Sequence, residues 1–118
     1  MIKKMEESAG NAIGFRTVGR ITKDDYQVLV PEVEALVEQE GNIRLLLDME
    51  QFEGEEFKAW GADFKFGREF RKKIDKLAIV GDKRWEKWLA ALADPFYARE
   101  AEFFKTDDRD AAWSWLRE

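Results

Sequence analysis

Two short apolar runs constrain the fold of this chain more than any other feature. They cover residues 43–48 and 77–82, and an aromatic, amphipathic helical pattern follows each of them. Short apolar runs that are bounded by turn residues and alternate with helices are typical of buried strands in a mixed or parallel sheet. Because ligand sites in such sheets lie at the carboxyl ends of the strands, the two runs also predict where a site belongs.

The segment between Thr22 and Gly41 predicts the first helix. Thr22 can cap its start, with Asp25 near the capping-box position, and Gly41 is a stop signal. Pro31 lies inside the pattern and predicts a kink. The residues with the spacing of one apolar helical face are Tyr26, Leu29, Val30, Val33, Leu36 and Val37.

The rest of the chain continues the alternation of strands and helices. We expect further strands at residues 2–7, 12–20 and 100–104, and an acidic loop at residues 50–56. We expect three further helices, one over residues 55–71, one capped by Asp82 and one capped by Thr106 or Asp107. The predicted order is ββαβαβαβα, an α/β sandwich with a mixed sheet of about five strands and about four helices, formed by one domain over residues 1–118.

The composition excludes several common catalytic groups and metal sites. The chain has no Cys and no His, which excludes thiol nucleophiles, imidazole relays and zinc sites of the Cys/His type. The acidic loop lacks the spacing of a calcium-binding loop. We therefore predict a protein that is not an enzyme and that needs no cofactor or metal ion.

Charge and hydropathy point to a cytoplasmic protein without a nucleic-acid partner. The net charge of −5 argues against nucleic acid. The N-terminus lacks the apolar stretch of a signal peptide, and the apolar run at residues 88–93 is far shorter than the roughly 20 residues that span a bilayer. The absence of Cys fits a cytoplasmic location.

Three segments resemble a known family: residues 22–31, 43–48 and 79–88, of which Val-Gly-Asp-Lys-Arg-Trp at 80–85 is the most specific. With the order of elements, they make the chain similar to STAS domains, the fold of bacterial anti-sigma-factor antagonists. The closer resemblance is to the SpoIIAA-like family, small bacterial proteins described as STAS domains related to CRAL-TRIO lipid-binding domains. It covers nearly the whole chain. It implies a STAS-like fold, no enzymatic activity, and a hydrophobic ligand, a membrane or a protein partner.

The chain departs from the antagonists at one position. Those proteins carry a phosphorylatable Ser shortly after the Asp that ends the central strand. Here Asp48 is followed by Met-Glu-Gln-Phe-Glu-Gly, and no Ser or Thr occurs between Asp48 and Lys105. Phosphorylation at that position, which would add charge and block docking, is not available to this chain.

An aromatic set follows the two apolar runs and has two interpretations. It consists of Phe52, Phe57, Trp60, Phe64, Trp85 and Trp88. Packing of two helices on a sheet explains such residues, as does a cavity for an acyl chain at the strand ends. Both interpretations stay open at the level of sequence.

A basic segment overlaps the second apolar run. Residues 65–87 hold nine Lys or Arg and four Asp or Glu, in a chain whose net charge is −5. A solvated face is the ordinary explanation. Contact with anionic lipid headgroups is the functional one, through Lys83, Arg84 and Lys87.

Two functional hypotheses follow from these patterns. The first is a cytoplasmic binding protein that holds an apolar or lipid-like ligand through the aromatic set, with peripheral contact to a membrane surface. The second is a regulatory module that docks on a partner protein through residues 48–56 and the second helix, with a homodimer as a further form of association.

Overall fold

The computed structural model describes residues 1–55, 72–82 and 100–118. These residues form the strands β1 (Ile2–Lys4), β2 (Ala12–Ile21), β3 (Ile43–Glu55), β4 (Ile74–Gly81) and β5 (Glu100–Lys105). They also form the helices α1 (Lys23–Glu40) and α2 (Arg109–Arg117), with a 3-10 turn at Thr106–Asp108 before α2.

The five strands form one mixed sheet in the order β1-β2-β3-β4-β5. β1 is antiparallel to β2, and every later pair of neighbours is parallel. The α/β architecture and the mixed five-stranded sheet are therefore confirmed. Of the four predicted helices, the first and the last are present, while residues 56–71 and 83–99, which carry most of the other two, lie outside the described residues.

Side chains of β3 alternate between the two faces of the sheet. Leu45 and Met49 belong to the core on the α1 side, and Leu46 belongs to the core that α2 covers. All three are buried. Because the central strands are covered on both faces, their sequences are continuous apolar runs rather than alternating patterns.

Helix α1 begins and ends as the sequence predicts. The Thr22 hydroxyl accepts a hydrogen bond from the Asp25 backbone N–H at 3.2 Å, and the Asp25 carboxylate accepts one from the Thr22 backbone N–H at 2.8 Å. These two bonds complete a capping box. At the other end Gly41 has φ +82°, a conformation that favours glycine. The predicted apolar face packs on the sheet, and the helix includes Pro31.

Three predicted boundaries are wrong. The first strand, predicted at residues 2–7, ends at Lys4 because a turn follows at residues 6 and 7. The acidic stretch after Asp48 is not a loop, because β3 continues to Glu55 by parallel pairing with the second half of β2, through register shifts in that ladder. The last helix is not capped by Thr106 or Asp107. Those residues form the 3-10 turn, and α2 follows Asp108, whose side chain makes no capping hydrogen bond.

The absence of a side chain at Gly14 sets the distance between α2 and the sheet. A Cβ atom at this position would lie 2.7 Å from the ring atoms Cζ2 and Cη2 of Trp113 and 3.2 Å from Met5 Sδ. We expect Gly14→Ala to lower the free energy of unfolding by about 1–3 kcal/mol, because overpacking forces the ring or the strand to move. Urea denaturation measures the loss.

A double-mutant cycle separates this clash from a general effect on strand β2. Trp113→Phe removes the ring atoms that the new methyl group would meet. We expect the cost of Gly14→Ala to be smaller in the Trp113→Phe background than in the unsubstituted protein. Equal costs in both backgrounds would contradict the explanation by close packing.

The capping box also predicts a dependence of stability on pH. Burial on its own raises the pKa of Asp25, but hydrogen bonds from Thr22 and the charge of the N-terminal amine outweigh burial, so that the pKa is lowered. A carboxyl group with a lowered folded-state pKa stabilises the fold above its unfolded pKa of about 3.9. That contribution is lost as the pH falls through the lowered value.

We therefore expect Asp25→Asn to lower the free energy of unfolding at pH 7, and its difference from the unsubstituted protein to shrink below about pH 4. Urea denaturation at the two pH values measures this difference. Asp24→Asn is the control, since Asp24 is exposed and lies in the same helical turn. A difference for Asp25→Asn that stays constant with pH would contradict the role given to its charge.

Candidate functional site

A fully buried carboxylate lies at the centre of the described structure. Asp48 lies on β3, level with Arg16 of β2 and Val80 of β4. Its exposed fraction is 0%, and it is the one buried charged side chain among the described residues. A buried charge is costly unless it is paired and hydrogen-bonded, so its partners are informative.

Two arginines and one backbone N–H satisfy the Asp48 carboxylate, and a threonine hydroxyl satisfies its backbone carbonyl. Its Oδ2 atom lies 2.9 Å from Arg109 Nε and 3.3 Å from Arg16 Nε. Its Oδ1 atom accepts a hydrogen bond from the Glu50 backbone N–H, and its backbone carbonyl accepts one from the Thr17 hydroxyl. Arg109 Nη2 also pairs with the Glu50 carboxylate at 2.8 Å. We call Arg16, Asp48, Glu50 and Arg109 the Asp48 cluster.

The Asp48 cluster is electrostatically balanced. Partial burial would lower the pKa of Arg109, but the charge and hydrogen bond of Asp48, together with Glu50, raise it. Two cations thus face two carboxylates. Such a network positions elements, because Asp48, Glu50 and Arg109 tie the first turn of α2 to β3.

The opposite end of α2 is held by two cations from the sheet. Lys76 Nζ donates to the Trp115 carbonyl at 2.9 Å and lies 4.9 Å from the centre of the Trp115 ring. Arg44 Nη1 donates to the Leu116 carbonyl. Carbonyl groups in the last turn of a helix lack intrahelical partners and carry partial negative charge. Lysine and arginine are therefore well suited to this end of the helix.

Comparisons with known proteins agree with this architecture. The SpoIIAA-like family model matches residues 12–117. The chain belongs to the SpoIIAA-like family. The crystal structure of an uncharacterized protein with a SpoIIAA-like fold from Shewanella loihica matches with a TM-score of 0.80 and 27% sequence identity. That match covers 98% of this chain and 93% of the other. A search of curated proteins gave no match.

The predicted ligand residues of this SpoIIAA-like protein lie mostly outside the described part. Phe52 is described, and its side chain is 3% exposed in the core on the α1 side. The other predicted contacts, which lie outside the described residues, are Phe57, Trp60, Phe64, Trp85, Trp88, Lys83, Arg84 and Lys87. Their role in ligand binding stays a prediction.

The predicted ligand residues follow β3 and β4 in the sequence, so the ends of these two strands are relevant to the site. β3 and β4 are parallel neighbours, with Asp48 level with Val80. β4 ends at Gly81, whereas β3 continues to Glu55 and pairs there with β2. Among the described strands, β2 and β3 therefore extend past β4 at the carboxyl edge of the sheet, which we call the step. Within the three described ranges, no helix is long and apolar enough to cross a membrane.

Sequence reasoning missed the Asp48 cluster. Arg16 and Arg109 stand 32 and 61 residues from Asp48 along the chain, so no local spacing brings them together. The available signal was an Asp at the end of an otherwise apolar run. An acid that falls within a buried strand requires a cationic partner.

Removal of the Asp48 charge tests the structural role of the cluster. We expect Asp48→Asn to lower the free energy of unfolding by about 3 kcal/mol, because two arginines lose their buried counter-charge. The matched control is Glu50→Gln, whose side chain is 47% exposed and whose loss costs about 1 kcal/mol or less. Urea denaturation of both variants measures the two costs, and equal losses would contradict the importance of burial.

Proposed function

We propose that this SpoIIAA-like protein is a non-enzymatic binding protein that holds an apolar or lipid-like ligand at the carboxyl edge of β3 and β4. The observation that carries the proposal is the parallel pairing of these two strands, which is continuous from Arg44 to Asp48 of β3. The segments that follow the two strands in the sequence therefore both begin at the carboxyl edge of the sheet. Those segments contain Phe57, Trp60, Phe64, Trp85 and Trp88.

The step in the sheet edge supports a ligand at this place. Ligands of α/β proteins bind outside the carboxyl ends of parallel strands, and apolar rings line most small-molecule sites. The overhang of β3 beyond β4 provides one side of such a site. Phe52 lies on this overhang and is buried in the core on the α1 side, so the proposal assigns it a supporting place beneath the ligand.

The basic residues that follow β4 in the sequence support an anionic headgroup. They are Lys83, Arg84 and Lys87. Cations beside an apolar site complement the phosphate or carboxylate of a lipid. The proposal includes a cytoplasmic location and peripheral contact of the protein with an anionic membrane surface.

The described charged groups support a binding role over catalysis. Asp48 and Arg109 are engaged with each other and with Glu50. General acid–base chemistry needs a titratable group that is free to exchange a proton with a substrate. The proposal accordingly assigns this network to holding the fold.

Native mass spectrometry of freshly purified protein tests the proposal. We expect an added mass from a bound lipid or fatty acid, which organic extraction would release for identification. Trp60→Ala and Trp88→Ala should each abolish the added mass, because they remove ring surface from the site. Trp115→Ala is the matched control, since Trp115 lies on α2 against Phe104 and Lys76 and should leave the ligand bound.

A clean ligand-free mass across several preparations would contradict the ligand proposal. It would direct attention to the alternative, a regulatory module that docks on a partner protein or on a second copy of the chain. In that case the acidic surface of β3 is the docking surface to examine. There Glu50, Gln51 and Glu53 are exposed, whereas Asp48 and Phe52 are buried and inaccessible to a partner.

A further inference from the structure

A separate polar pocket lies beside the antiparallel edge of the sheet. Its volume is about 390 Å³, and its lining residues are Lys3, Lys4, Met5, Glu6, Glu7 and Arg16. All of them are among the described residues. None belongs to the ligand set proposed above.

Two cations face each other in this pocket. Lys3 of β1 and Arg16 of β2 are direct partners in the antiparallel ladder, so their side chains stand on the same face of the sheet. Like charges in directly opposite positions destabilise a sheet. A bound anion between them would offset that repulsion.

The positive charge of this pair is only partly neutralised. Arg16 shares the single Asp48 carboxylate with Arg109. Lys3 makes no hydrogen bond or ion pair with another of the described residues, whereas Lys4 is paired with Glu32 at 3.4 Å. Lys3 and the part of the Arg16 guanidinium that is not bound to Asp48 are therefore available to a ligand.

The Asp48 cluster prepares Arg16 for such a ligand. Asp48 holds the guanidinium through Nε at 3.3 Å, and this carboxylate is itself immobilised in the sheet. The Arg16 side chain is 43% exposed, so part of the guanidinium remains open to the pocket. A pre-oriented arginine loses less conformational entropy on binding, which favours affinity.

We propose that this pocket binds a small phosphate or carboxylate that also carries a hydroxyl or amino group. Lys3 and Arg16 pair with the anionic group. Glu6 and Glu7 also line the pocket, and their carboxylates accept hydrogen bonds from the second group of the ligand. Met5 is 6% exposed and supplies an apolar floor for the carbon atoms between the two groups.

A titration with inorganic phosphate at constant ionic strength tests the proposal, with the backbone amide resonances of Lys3 and Arg16 as the NMR readout. We expect these resonances to shift in a saturable manner, with half-saturation below about 50 mM, an affinity appropriate to a fragment of the ligand. Sulfate, which carries no hydroxyl at neutral pH, should bind more weakly than phosphate. Shifts without saturation, or shifts spread evenly over all lysines, would overturn the proposal.

Lys3→Gln provides the decisive variant. Lys3 is exposed and has no described partner, so the substitution should leave the fold intact while weakening phosphate binding about tenfold, as expected for a lost charged hydrogen bond. Lys105→Gln is the matched control, since Lys105 is exposed on β5. Equal affinities for Lys3→Gln and Lys105→Gln would refute the site. Arg16→Gln is a less suitable variant, because it also removes a partner of Asp48.

Discussion

The buried carboxylate of Asp48 is the interaction on which the rest of the structure depends. It joins three elements, because Arg16 comes from β2, Asp48 from β3 and Arg109 from the start of α2. Buried ion pairs contribute little net stability compared with apolar packing, and removal of one partner is costly. The cluster therefore acts mainly on specificity, since any other placement of α2 would take away Arg109, the nearer of the two cations that pair with the buried carboxylate.

Groups of opposite charge hold the two ends of α2, with carboxylates at its first turn and cations at its last turn. At its first turn Arg109 is held by carboxylates, and at its last turn Lys76 and Arg44 donate to free carbonyl groups. Between these anchors the Trp113 ring packs against Gly14, where a Cβ atom would not fit. Polar anchors thus set the direction of the helix, and close packing sets its distance from the sheet.

Local patterns predicted most of the described fold, and non-local pairing accounts for what they missed. The capping box of Thr22 and Asp25, the stop at Gly41 and the strand over residues 77–81 follow from signals within a few residues. The extension of β3 to Glu55 does not, because its acidic residues are typical of a loop and only pairing with β2 makes them a strand. The Asp48 cluster escaped prediction for the same reason.

Three hydroxyl groups in the N-terminal half of the chain are relevant to regulation by phosphorylation. Thr17 donates to the Asp48 carbonyl, Thr22 caps α1, and Ser8 accepts from the Gly14 backbone N–H. All three hydroxyls stabilise the fold, and none follows Asp48 along β3. Phosphorylation of any of these hydroxyls would break the hydrogen bond that the hydroxyl makes. Phosphorylation of Ser8, Thr17 or Thr22 is therefore difficult to reconcile with this fold.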